Sequence, residues 1–268
     1  MNLLRKRKDK KGVSLICSQG DEGLKRLSFG LLKLSKGETF NGNAENRETA
    51  LVVLSGTVNV KGEDFEYVKI GKRKDVFSGK PSAVYLPALT SYSMSADTDI
   101  EIAICSAPSD MKSKPVLIKP EDVIEKKLGV LNWERNAYFI IDERVKSKNF
   151  YIGETFLSPG KWAFPPHRHD FDNLPEEVEM DEIYHYRVSP NSGFGIQMVY
   201  TDDKSIDISY TIRDGDTVLL PQGYHPAAAS PTDSLYILWM LAGEQRYFLS
   251  KPDDDYRWIS KVENLLRG

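Results

Sequence analysis

Gly215-Asp216-Thr217-Val218-Leu219-Leu220-Pro221-Gln222-Gly223-Tyr224-His225 decides how the chain folds. A short apolar, β-branched run stands between Gly-Asp and Pro-x-Gly, the punctuation of a strand held between two turns. The same device occurs earlier, where Pro81 leads through Ala83-Val84-Tyr85-Leu86 to Pro87. Each copy is followed by a further apolar run, Leu235-Tyr236-Ile237-Leu238-Trp239-Met240 in the later one and Ile100–Ile104 in the earlier one. Upstream, Ser158-Pro159-Gly160-Lys161 precedes Glu182-Ile183-Tyr184-His185-Tyr186, as Ser35-Lys36-Gly37-Glu38 precedes Ala50–Leu54. The interval from Gly37 to Pro87 thus recurs, with one insertion, between Gly160 and Pro221. An internal repeat of short strands predicts an all-β chain of two tandem small barrels. Pro108, Pro115 and Pro120 mark an extended connector between them, so the barrels are expected at 1–120 and 121–268.

Helical periodicity is confined to Tyr256–Arg267, where Trp258, Ile259, Val262, Leu265 and Leu266 recur at three- and four-residue steps. A short C-terminal helix packing on the barrel is expected there. The 268 residues carry 36 Lys+Arg against 39 Asp+Glu, a net charge of −3, with 40% hydrophobic and 28% charged residues. That is an ordinary globular composition without the basic footprint of a nucleic-acid binder. The basic run Arg5-Lys6-Arg7-Lys8 to Lys10-Lys11 reads as a solvated arm, with no apolar stretch behind it to make a secretory signal. No window is apolar enough for a membrane-spanning helix, so no membrane partner is expected. Two cysteines, Cys17 and Cys105, suggest no disulfide framework and point to a reduced, cytoplasmic protein.

All four histidines, His167, His169, His185 and His225, lie in the second copy. In Pro165-Pro166-His167-Arg168-His169-Asp170 two imidazoles stand at i and i+2, which on a strand puts them on one face. Glu182 opens a strand downstream, and His225 closes the Gly-x5-Pro-x-Gly-x-His stretch. His167, His169, Glu182 and His225 together suit a divalent transition metal with coordination positions left for a substrate. Glu176, Glu177 and Glu179 compete with Glu182, but they follow Pro175 in a loop-like acidic segment, and a strand fixes Glu182. Alternation from Glu182 puts Tyr184 and Tyr186 on its face and His185 on the other. His185 is therefore expected in a second layer or an interface rather than at the metal.

The pair His-x-His…Glu and Gly-x5-Pro-x-Gly-x-His resembles the two halves of a metal-binding cupin, and the duplication resembles a bicupin whose first barrel has lost its metal. The resemblance extends to the 5-deoxyglucuronate isomerases of myo-inositol catabolism. It is carried by Pro165–Asp170, Asp181–Pro190, Gly193-Phe194-Gly195, Val199–Asp203, Pro221–Pro226 and Met240-Leu241-Ala242-Gly243. Two departures stand out. Met198 occupies a position where the family usually has Arg, and Trp239 is more like the sister family, the ketol-isomerases of pectin-derived deoxy-ketouronates.

This resemblance implies two double-stranded β-helix (jelly-roll) barrels and a metal-dependent aldose–ketose isomerisation of a deoxy-uronic acid in carbohydrate metabolism. Zn is the first expectation for the cofactor, and Mn, Fe or Ni suit the same ligands. Glu182 is a candidate base, and Tyr184 and Tyr186 are candidate proton relays for which core packing is the competing reading. Arg187 and Arg246 are candidate clamps for the substrate carboxylate, although alternation puts Arg187 on the outer face, and Gln197 is a candidate polar contact. A sugar-acid substrate is expected as the partner, together with at least a homodimer by analogy with other cupins. A ketol-isomerase of a pectin-derived deoxy-ketouronate, an iron-dependent dioxygenase and a non-catalytic sugar-acid-binding bicupin are the competing readings.

Overall fold

The computed structural model describes residues 1–267. Strands joined by turns make up most of the chain, and the one α-helix among the described residues, Ile259–Arg267, closes it. In the first half a six-stranded sheet runs in the order Val116–Ile118, Ser82–Leu86, Arg47–Ser55, Ile100–Pro108, Ser28–Leu34, Gly12–Cys17. It packs on a four-stranded sheet of Thr39–Asn43, Ser91–Ala96, Val58–Gly62 and Glu66–Ile70. The second half repeats the plan. Its seven-stranded sheet runs Leu4–Arg5, Thr217–Leu220, Asp181–Ser189, Ser234–Ala242, Phe150–Leu157, Arg135–Ile141, Ile124–Leu128. Its smaller sheet holds Trp162–Ala163, Ala227–Ala229, Gly195–Tyr200 and Asp207–Ile212. The repeat visible in the sequence is thus two double-stranded β-helix barrels.

Alternation along the strands feeds two cores. In Arg47–Ser55, Ala50, Val52 and Leu54 enter a core shared by both halves, whereas Leu51 and Val53 point into the first barrel. There they meet Leu32, Val58, Leu86, Met94 and Ile102, so aliphatic side chains fill that barrel's interior. Burial on both faces is why these strands read as unbroken apolar runs rather than alternating ones.

Two buried carboxylates fasten the halves together. Glu154 takes a paired contact from Arg73 (Nη1–Oε2 3.0 Å, Nη2–Oε1 2.6 Å) and a hydrogen bond from the Tyr236 hydroxyl at 2.8 Å. Glu48 accepts from the Tyr85 and Ser147 hydroxyls, the Asn149 amide side chain and the backbone N–H groups of Lys148 and Asn149. With both oxygens of each carboxylate hydrogen-bonded, these charges are tolerated in an apolar seam.

The basic N-terminal run is not the solvated arm its composition suggests. Leu4 and Arg5 pair with Val218 and Thr217, Leu3 is fully buried, and Leu219 donates a backbone hydrogen bond to the Leu3 carbonyl at 3.0 Å. Lys6 reaches Asp216 at 2.9 Å and Arg7 reaches Asp214, so the cations meet the acidic turn that precedes their partner strand. Val116–Ile118, inside the proline-rich connector, pairs with Ser82–Leu86 in the same way. Each half's large sheet is therefore extended at the same edge by the segment that leads into the other half. The boundary we place at residue 120 falls just after the second of these segments.

The C-terminal helix forms where it is expected, but only part of its apolar stripe is packed. Ile259 is buried and Glu263 accepts from the Trp133 indole at 2.8 Å, but Trp258, Leu265 and Leu266 face solvent. No helix among the described residues is long and apolar enough to cross a membrane.

If the arm is an integral strand, Leu3→Ala should lower the free energy of urea unfolding by roughly 2–5 kcal/mol, the usual result of truncating a buried leucine. A solvated arm would leave it within about 0.5 kcal/mol.

Candidate metal centre and its cavity

His167 lies in a two-residue strand paired with Lys251–Pro252, and His169 follows it in the loop. Glu182 is the second residue of the Asp181–Ser189 strand. His225 sits in the turn between Thr217–Leu220 and Ala227–Ala229. One ligand atom each from His167, Glu182 and His225 falls within 4.8 Å of the others. Glu182 Oε2 is 3.0 Å from His225 Nε2 and 3.1 Å from His169 Nε2, so the fourth side chain joins through the same oxygen. Four residues from three separate elements thus converge on one point.

The outward nitrogens explain the orientation. Nδ1 lies 2.6 Å from the Met180 carbonyl in His169, 2.7 Å from that of Gly223 in His225 and 3.3 Å from that of Pro165 in His167. A carbonyl only accepts, so each Nδ1 carries the proton and each Nε2 turns a lone pair to the centre. Gly223, at φ +90°, has the left-handed conformation that favours glycine. Its N–H donates to both Asp170 carboxylate oxygens at 2.9 Å, which ties the His225 turn to the loop carrying His169.

The electrostatics ask for a cation. Burial, reinforced by His225, pushes His167 down to about 3, so its ring is neutral. Burial opposes the charge on Glu182, whose Oε2 faces the His169 and His225 rings. His225 Nε2 is buried with no hydrogen-bond partner although a carboxylate oxygen stands 3.0 Å away. Two acceptors face each other there, and a divalent ion between them satisfies both. The donor set and its orphaned nitrogen fit such an ion.

The centre opens into a cavity of about 260 Å³. Leu128, Ala137, Phe139, Ile237, Trp239 and Leu241 supply apolar walls, with His167, His169, Glu182 and Tyr184 also lining it. Gly153 makes room for Trp239, since a Cβ there would lie 2.2 Å from the indole ring.

Other candidates fall on both sides of the wall. Tyr184 lines the cavity, its ring centroid 5.7 Å from that of His225. Burial, then the Glu182 charge, raises its phenol well above the ordinary range, so it stays protonated. Tyr186 and Gln197 do not line it. The Tyr186 hydroxyl donates to Gln197 Oε1, and the Gln197 amide donates to the Met198 and Pro226 carbonyls, so a closed network consumes both polar groups. Arg187 is on the outer face, paired with Glu101 at 2.6 Å across the seam between barrels. Arg246 is not at the cavity either. Its guanidinium is taken up by the carbonyls of Phe150, Val145 and Asp142. His185, fully buried, contacts Thr217 Oγ1 at 2.9 Å and packs against Phe29 of the first half. Glu176 pairs with Lys251, Glu179 with Lys25, and Glu177 with Arg168.

Sequence reasoning missed Arg135. It begins the Arg135–Ile141 strand in phase with Ala137 and Phe139, and all three line the cavity. The usable signal was that two-residue alternation. Burial pushes its guanidinium below the usual value, partly offset by Tyr184 and Glu263.

A bound ion should stabilise the fold by linkage. His225→Ala should lose the metal measured by elemental analysis, and its thermal midpoint should no longer respond to a chelator as the unsubstituted protein's does. His185→Leu should keep its metal content, because that ring faces the other side of the strand.

Comparison with known proteins agrees with this architecture. A family model described as "KduI/IolB family" matches residues 3–259. A 5-deoxy-glucuronate isomerase of Geobacillus kaustophilus is 37% identical over 88% of this chain and 87% of its own length. That of Halalkalibacterium halodurans is 36% identical over 93% of this chain and 94% of its own. The crystal structure of an IolB-like protein from Salmonella typhimurium superposes with a TM-score of 0.94 at 30% identity, over 97% of this chain and 100% of the other. Oxalate decarboxylase from Lactobacillus farciminis, at 10% identity and TM-score 0.70, shares the fold alone. With nearly the whole chain matched in sequence and in shape, this protein belongs to the KduI/IolB family.

Proposed function

We propose that the protein isomerises 5-deoxy-D-glucuronate to 5-dehydro-2-deoxy-D-gluconate, the reaction its resemblance and its relatives' names indicate. One observation supports this most. His167, His169, Glu182 and His225 converge beside the protonated Tyr184 in a mostly apolar cavity of about 260 Å³, close to the lower end of small-ligand sites. Interconverting an aldose and a ketose moves a proton between neighbouring carbons through an enediolate, which is short-lived in water.

These four side chains would hold a divalent ion, with zinc as the first choice because three imidazoles and a carboxylate suit it. Such an ion supplies a Lewis acid and template for the carbonyl and adjacent hydroxyl oxygens. Glu182 would be a ligand to that ion and also the carboxylate at the cavity wall that takes the carbon-bound proton and returns it to the neighbouring carbon. The Tyr184 Oη–H donates to the substrate oxygen on which charge develops and exchanges the hydroxyl proton there. Phe139, Ile237, Trp239 and Leu241 exclude bulk water, which strengthens that hydrogen bond.

We place the protein in the cytoplasm as a dimer or larger assembly. Two buried free cysteines, Cys17 and Cys105, support the first reading, and the exposed Trp258, Leu265 and Leu266 support the second.

Proton NMR of the purified protein with 5-deoxyglucuronate should show the keto acid forming, and a chelator should stop it. Isomerisation that survives metal removal, or oxygen uptake in its place, would sink the proposal. Tyr184→Phe should lower kcat by about 10²–10⁴-fold, the usual range for losing an acid–base group, without changing metal content.

A further inference from the structure

We infer that Arg135 binds the substrate's carboxylate and gives the cavity its preference for sugar acids, an inference that rests on the isomerase reading. Among the described residues lining the cavity, Arg135 carries the one guanidinium or ammonium group. Its Nη1 donates to the carbonyls of Trp133 at 3.1 Å and Phe164 at 3.0 Å. Among the described residues, Nε and Nη2 make no hydrogen bond, and no carboxylate lies within ion-pair distance of the group. A partly buried guanidinium with donors to spare is uncommon, because desolvating a cation is unfavourable unless an anion answers it.

The geometry suits a fork. The two carbonyls anchor one arm, and the free donors of Nε and Nη2 match the two oxygens of a carboxylate. Phe164 lies three residues before His167, so the anchoring carbonyl belongs to the segment that carries the metal-site histidines. The substrate's two ends are then recognised separately, the carbonyl end at the His–Glu cluster and the acid end at Arg135. Arg187 and Arg246 cannot serve, since Glu101 occupies the first and main-chain carbonyls the second.

The test compares the metal-loaded protein with R135Q and R135K. Turnover is measured on 5-deoxyglucuronate and on 5-deoxyglucose, the neutral aldose with a hydroxymethyl in place of the carboxylate. Calorimetry measures binding of the borohydride-reduced form of each, which cannot isomerise. R135Q should weaken binding of the reduced acid by roughly 10- to 100-fold, the range for a charged hydrogen bond, and leave the neutral alditol unchanged. KM for the uronate should rise in parallel, so that the preference for acid over neutral sugar collapses, and R135K should recover part of it.

Binding of the reduced acid by R135Q within about twofold of the parent protein would overturn the inference while leaving the isomerase reading intact. The converse is an Arg135-dependent acid affinity in a parent protein that turns over neither sugar, which upholds the inference as an acid-binding site and discards the reaction. If R135Q does not fold, R135K decides alone. A loss confined to the acid supports the inference, and equal losses on acid and neutral ligand overturn it.

Discussion

Asp181–Ser189 is buried on both of its faces, and that double burial constrains everything around it. One face carries Glu182 and Tyr184 into the second barrel, and the other presents His185 and Arg187 to the first. The strand cannot slip by one residue, because a slip would exchange Glu182 for groups that serve the seam. Its neighbours Thr217–Leu220 and Ser234–Ala242 inherit the same register, Glu182 lying opposite Leu220 on one side and Leu241 on the other. The first barrel therefore contributes to the site without touching it. Its large sheet supplies the surface on which the outer face of the Glu182 strand packs, through Phe29 against His185 and Glu101 against Arg187.

The two halves took different courses from one plan. Leucines, valines and isoleucines fill the first interior completely enough to form a separate core. In the second, Trp239 lies across Gly153 in the wall of an open cavity, and the polar groups inside are held by the main chain. Orientation by backbone carbonyls needs no further side chain, so the remaining wall can stay apolar.

Much of this was legible in the sequence, for reasons that follow from distance along the chain. The two-barrel plan could be read because turns and strands are local signals, and the His–Glu cluster because alternation fixes which side chains share a face. The same alternation separated His185 from the centre and set Arg187 outside. Arg246 and Tyr186 were opaque, since their neutralising partners, three main-chain carbonyls and Gln197, are brought to them only by tertiary structure. Arg135 was overlooked because Arg135-Asn136-Ala137-Tyr138-Phe139 mixes polar and apolar side chains, and its inward phase becomes evident only once the cavity is located. The basic arm was misjudged for a related reason. Arg5, Lys6 and Arg7 look solvated until Asp214 and Asp216 come back beside them.

That arm has a consequence for the order in which the protein assembles during synthesis. Lys6 and its partner Asp216 are 210 positions apart, so the segment around Lys6 is synthesised long before the strand it joins. At about 5–20 residues per second, that is an interval of roughly 10–40 s in which the segment has no sheet to join. Its charges keep it soluble meanwhile. Once Thr217–Leu220 has formed, the earlier-made Leu4–Arg5 segment closes its free edge, and one of the last sheets to form is completed by one of the first segments made.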